Sequence, residues 1–165
     1  MEKKLYSDDR DIPYSTTKIP PIKTRSDIDA ILARWGITKV MWEFDIENNK
    51  VQLAFELPYE KFGESTINPV IKLEPPRIWN KKKRDRGETI NWQISMRILH
   101  WYIKDSLAMS YAMQSQKAVA FLPYIQTSAT ETVKDVLLPR LSLLKALPAP
   151  NGNKVIEVEF EETKK

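Results

Sequence analysis

Between Val40 and Leu57 apolar and polar side chains alternate. Val40, Trp42 and Phe44 interleave with Met41, Glu43 and Asp45, and Val51, Leu53, Phe55 and Leu57 interleave with Gln52, Ala54 and Glu56. A period of two marks a strand with one buried face and one face toward solvent or a ligand. Glu47-Asn48-Asn49-Lys50 supplies the turn, so the segment predicts an antiparallel hairpin. A third strand is expected over Ile67–Leu73, ended by Pro75-Pro76 because proline cannot donate to a sheet.

From about Thr89 to Gln114 the period becomes helical. Ile90, Ile94, Ile98 and Trp101 form one stripe, with Trp92, Met96, Leu99 and Ile103 beside it. That broad apolar face predicts a long central helix laid across the sheet. A short helix is expected over Asp27–Trp35, with Ile28, Ile31 and Leu32 on one face, Thr24 or Ser26 as cap, and Gly36 at the C-terminal stop. A last helix, about Glu131–Leu144, follows a break at Pro123, and Pro139 should kink it or end its first half. The predicted fold is α+β: a three-stranded antiparallel sheet packed against one long helix, with a short N-terminal and a C-terminal helix. Residues 1–23, punctuated by Pro13, Pro20 and Pro21, read as an extended arm, 24–147 as a single domain, and 148–165 as linker and tail.

Composition narrows the setting. A chain of 165 residues with 42% hydrophobic and 29% charged residues suits one soluble domain with tails. The absence of cysteine excludes disulfides and thiolate metal sites. With few glycines and abundant Glu and Lys, it also suits a thermostable protein from a hot environment. Met1 to Asp9 contains no apolar core of a signal peptide, and nowhere is there a run of about 18 apolar residues. The expected location is cytoplasmic, with no membrane partner.

Charge changes the picture more. The net charge is only +4, yet Lys72 to Arg86 holds seven basic residues (Lys72, Arg77, Lys81, Lys82, Lys83, Arg84, Arg86) against Glu74 and Asp85. Dense positive charge with an embedded tryptophan, Trp79, is what a polyanion with stackable bases would select. Trp79 either stacks on bases or packs on the central helix. Trp35, at the end of the first helix, is open to both readings. Trp42, Trp92 and Trp101 follow apolar periodicity and read as core. On the alternative view, Lys81–Arg86 is a solvated connection with capping and solubility roles.

Catalytic signals are weak. His100 is the single histidine, within the central helix, and lacks a Ser–carboxylate or second-His constellation, so a structural or surface role is expected. Glu43, Asp45 and Glu56 read as a solvated strand face rather than an acid/base pair. Asp8, Asp9 and Asp11 lack the spacing and glycine of a calcium loop, and the four glycines are scattered rather than gathered into a phosphate loop. No cofactor or metal is expected, and a non-enzymatic role is favoured.

The tail alternates acids with apolar residues through Val155, Ile156, Glu157, Val158, Glu159, Phe160, Glu161 and Glu162. It reads either as an edge strand or as an acidic-apolar docking peptide that reaches replication or recombination proteins or competes for the basic segment. Its Lys164-Lys165 ending departs from the tails of single-stranded DNA-binding proteins.

Taken in order, Thr17-Lys18-Ile19-Pro20, the Ser26–Gly36 helix, Lys50 to Pro58, Arg97-Ile98-Leu99 with Ile103-Lys104, Phe121 to Ile125, Thr132-Val133 and Leu138-Pro139 resemble a family of small proteins of phages, prophages and other mobile elements. The resemblance spans roughly 17–148 and implies an α+β domain and a mobile-element setting, with no activity or catalytic residue attached. The basic 81–86 segment and the tail depart from it. The function expected from these readings is a single-stranded DNA- or RNA-binding accessory protein of replication, recombination or repair. The alternatives are a protein-binding module that docks on a host or phage enzyme through Glu157, Glu159, Phe160, Glu161 and Glu162, or a virion or scaffold component. A homo-oligomer through the Trp-rich central helix is a further expectation.

Overall fold

A computed structural model describes residues 4–45, 47–58, 60–62, 65–80 and 88–144. The alternating segment forms the expected hairpin. Strands Val40–Asp45 and Lys50–Glu56 pair antiparallel, with Val40 opposite Phe55 and Asp45 opposite Lys50. The Asp45 carboxylate accepts from the Asn48 backbone N–H at 3.0 Å and from its side-chain amide at 2.7 Å, which holds its pKa below the usual carboxylate range. Asn49 takes a left-handed φ of 48°, a conformation asparagine tolerates.

In chain order the elements are β1 (Leu5–Tyr6), α1 (Pro21–Arg34), β2 (Val40–Asp45), β3 (Lys50–Glu56), β4 (Glu60–Phe62), β5 (Ser65–Ile67), β6 (Val70–Leu73), β7 (Ile78–Asn80) and β8 (Thr89–Ile90). They continue with α2 (Trp92–Ala112), α3 (Lys117–Ala120), a 3-10 turn (Leu122–Tyr124) and α4 (Val133–Leu144). The fold is α+β, as expected: an antiparallel three-stranded sheet ordered β2-β3-β6, with the long helix α2 against it. The third strand begins at Val70 rather than Ile67. Ser65–Ile67 instead pairs with β4 in a separate small hairpin, and Pro69, which has no N–H to donate, separates the two.

The inner face carries Leu53, Phe55, Ile71 and Leu73. These pack with Ile28 and Leu32 of α1 and with Met96, Leu99, Ile103 and Leu107 of α2 in one core. Phe121 closes the far end, edge-on to Phe55 at 5.5 Å between centroids. The buried stripe of α2 is therefore Ile94, Met96, Leu99, Ile103 and Leu107, while Ile98 and Trp101 are only half-buried. Asn91 caps the helix by accepting from Ile94 N–H at 3.2 Å, so Thr89 and Ile90 fall in strand β8.

Other readings change. Helix α1 starts at Pro21, not Asp27. Pro20 and Pro21 initiate it, because proline's fixed φ and missing N–H suit the first helical position. Thr24 consequently lies one turn inside and fully buried, not at a cap. Phe44 is 51% exposed at the end of edge strand β2, where the Trp42 ring stacks on it at 6.4 Å and the Arg25 guanidinium lies 5.5 Å from the Trp42 ring and 5.3 Å from Phe44. Helix α4 runs through Pro139 to Leu144. Within the first 23 residues, Leu5–Tyr6 pairs parallel with Ile78–Trp79, and β8 pairs on the other side, which makes a second sheet ordered β1-β7-β8.

Candidate nucleic-acid interface

Trp79 lies in a strand, not in a loop. It is half-buried, opposite Tyr6 on one side and Ile90 on the other. The Lys4 ammonium lies 4.8 Å from the centre of its ring and is paired with Glu88, which also accepts from the Tyr6 hydroxyl at 2.9 Å. That acceptor raises the pKa of both the Lys4 amine and the Tyr6 phenol. The pairing of Asn80 with Thr89 brings the two ends of segment 81–87 onto adjacent strands. Lys81, Lys82, Lys83, Arg84 and Arg86 themselves lie outside the described residues, as do Glu157, Glu159, Phe160, Glu161 and Glu162 of the tail.

Lys72 occupies the outer face of β6, where alternation puts it opposite to buried Ile71 and Leu73. It lines a polar cleft of about 350 Å³ with Lys50, Gln52, Glu74, Tyr124, Thr130, Thr132, Lys134 and Asp135. Lys50 pairs with Glu74 at 2.9 Å, and Gln52 donates to the same carboxylate at 3.1 Å. Asp135 accepts from the Thr132 N–H at 2.9 Å and from its hydroxyl at 2.7 Å, and these bonds lower its pKa. The cleft thus gathers three lysines, Lys50, Lys72 and Lys134, against the two carboxylates of Glu74 and Asp135.

Arg77 is exposed just before β7. Trp35 sits at the C-terminal end of α1, half-buried, with Tyr111 edge-on at 5.9 Å. Lys72, Trp79 and Trp35 thus stand on three separate elements, and among the described residues no hydrogen bond, ion pair or ring contact joins them.

The sequence reading missed Lys50 and Lys134 as neighbours of Lys72. The polar residues at alternate positions 50, 52, 72 and 74 were a usable signal for the first, but the approach of α4 was not visible. It also missed a polar seam between α1 and α2. There Asp27 pairs with Lys23 at 3.0 Å and with Arg97 at 3.5 Å, and Lys23 above all holds its pKa down. His100 is buried in the same seam, with Nδ1 unpartnered. Burial first, then the Arg97 charge, lowers its pKa, while the Asp27 carboxylate pulls the other way. Trp101 beside it stacks on Tyr14 at 5.9 Å and carries the Lys104 ammonium 4.2 Å from its ring centre.

Among the described residues no group of three His, Asp or Glu side chains converges as a metal site, and no helix is long and apolar enough to cross a membrane. The arrangement defines an α+β protein with a lysine-lined polar cleft and a tryptophan at the root of a basic connection. No protein-family model, no curated protein and no solved structure matches this chain.

Proposed function

We propose that this chain is a non-enzymatic, single-stranded nucleic-acid-binding accessory protein of mobile-element replication, recombination or repair. One observation carries the reading: β7 and β8 are paired next to Trp79, so the described residues on either side of a sequence stretch with five cations stand on adjacent strands beside an aromatic ring. Such a segment would neutralise successive phosphates, with Arg77 and Lys72 extending it, while Trp79 stacks on a base without reading sequence.

The test is fluorescence anisotropy of labelled oligo-dT, oligo-dA, single-stranded RNA and duplex DNA at two salt concentrations. Salt-sensitive binding to single strands is expected. Replacing Lys81, Lys82 and Lys83 by Ala should flatten the log–log salt slope by about two units. Trp79→Ala should weaken binding by roughly ten- to a hundredfold, the range of base–aromatic stacking. No binding at low salt, or an unchanged slope in the triple variant, would remove the segment from this role.

A second reading, a protein-docking module, draws on an apolar cleft of about 310 Å³ lined by Pro21, Ile22, Arg25, Phe44, Trp92 and Met96. Deleting residues 151–165 separates the two: nucleic-acid affinity persists or rises under the first reading, and protein binding through the tail is lost under the second.

A further inference from the structure

Helix α4 has the composition of a packed helix and the surroundings of an unpacked one. Its sequence, Val133 to Leu144, is rich in leucine, yet no side chain from Val133 to Arg140 is buried. Leu137 is 43% exposed and Leu138 55%. The helix is anchored at its start, where Val133 N–H donates to Ile125 C=O at 2.8 Å, and it packs on the 3-10 turn. A helix of 12 residues is marginal without tertiary cover. Leu137 and Leu138 need a surface.

The same chain carries one that fits. A cleft of about 490 Å³ between the end of α2 and α3 is lined by Tyr102, Asp105, Met109, Met113, Val119 and Ala120. Met109 and Met113 are both more than half exposed, as is Val119. Tyr102, Met109 and Met113 recur at intervals of seven and four along α2, so they form one stripe parallel to the helix axis. Methionine adapts its shape to an incoming helix. Charge agrees as well. The cleft contributes Asp105, whereas α4 exposes Lys134 and Arg140 against the single carboxylate of Asp135, which leaves it one cation in excess from Val133 to Arg140.

We propose that α4 of one copy lies in the α2–α3 cleft of a second copy, with Arg140 directed to Asp105, and that the exchange is reciprocal. A helix-in-cleft contact joins two different surfaces, so only reciprocation closes it into a two-fold dimer; otherwise it propagates as a chain of molecules. The size is sufficient. At 1.5 Å per residue α4 is about 18 Å long. Laid in a cleft, it buries roughly 400 Å² on each side, so two such contacts give roughly 1,600 Å², a standard interface.

The test is sedimentation equilibrium of the full chain from about 1 to 100 μM, the range in which an interface of this kind associates. The expected result is a dimer. Leu138→Glu and Met113→Glu should each weaken dimerisation at least about tenfold, while their far-UV spectrum and melting temperature match those of the unsubstituted chain at concentrations where it too is monomeric, because both side chains are exposed. An equimolar mixture of the two variants should associate more strongly than either variant alone, through the one contact in which the intact α4 of one meets the intact cleft of the other. Should either variant misfold, Leu138→Gln and Met113→Gln take its place. A monomer across the whole range overturns the proposal. So does a Met113→Glu variant that dimerises like the unsubstituted chain while Leu138→Glu does not, which would indicate α4 against α4. Loss of the dimer on removing residues 145–165 overturns it too, by making the tail the occupant.

Discussion

Thr24 tests whether the buried polar seam is a structural cost. The side chain is fully buried on α1, and its hydroxyl has no hydrogen-bond partner. The nearby Pro20 carbonyl already accepts from the Thr24 backbone N–H at 3.1 Å. Burying a hydroxyl without a partner costs about 1–3 kcal/mol in protein mutational series. Thr24→Val keeps the branched shape, replaces the hydroxyl by a methyl, and leaves helix propensity nearly unchanged. The variant should therefore gain about 1–3 kcal/mol. At about 2–4 °C per kcal/mol for a chain of this size, the melting temperature should rise by about 2–12 °C. Urea unfolding is the assay: the midpoint should rise with the slope unchanged. Thr24→Ser, which keeps the hydroxyl and loses the methyl, should lower the midpoint. A lower midpoint in Thr24→Val would refute the reasoning and mean that the hydroxyl is held, for instance by a buried water.

The remaining predictions concern a histidine, a glycine and a lysine. His100 is buried among Asp27, Arg97, Lys104 and Asp105 with its pKa below the ordinary 6.5, so its contribution to stability is complete above that value and lost as pH falls through the window beneath it. The urea midpoint should drop on acidification from pH 7 before the carboxylates titrate, and His100→Gln should remove that early drop; an identical profile in the variant refutes the assignment. Gly36 has φ +78° and lets Ile37 N–H reach Leu32 C=O at 3.0 Å, while an added Cβ would meet nothing within 4 Å, so Gly36→Ala should cost about 1 kcal/mol from the backbone alone. A neutral result by urea unfolding would show that the turn can relax. Lys4→Ala should leave the salt slope of single-strand binding unchanged, because Glu88 already neutralises that ammonium, and should tighten binding by uncovering the Trp79 ring. A slope lower by about 0.7 would instead make Lys4 a phosphate ligand.

The sheet and central helix were legible because burial imposes a period. Leu53 and Phe55 must share a face in β3, and Leu99, Ile103 and Leu107 must share one in α2, whatever their partners. What was not legible depended on contacts between distant segments. Two residues, Leu5 and Tyr6, carry no periodic signal, yet they turn Ile78–Asn80 from an apparent loop into the centre of a second sheet. Proline misled at Pro20-Pro21, where the same fixed φ that ends elements begins one. At the candidate interface the basic residues were found by composition, but composition could not show that Lys4 covers Trp79, or that Lys134 comes beside Lys72.

Ion pairing within the fold bears on how strongly the proposed interface can act. Lys4, Lys23, Arg25, Lys39, Lys50 and Arg97 all have carboxylate partners in the chain itself. These pairs are mostly exposed and each contributes little to stability, but they cancel the field of those cations at a distance. The excess charge available to a polyanion is then concentrated between Lys72 and Arg86, where seven cations oppose two acids. For a single strand that sets a ceiling of about −5 on the salt slope of one copy, at about −0.7 per phosphate neutralised. A dimer formed by exchange of α4 would present two such segments to one strand. A slope clearly steeper than about −5 in the full chain, returning below it in Leu138→Glu, would therefore join the nucleic-acid reading to the dimer; an equal slope in both would mean that each copy binds alone.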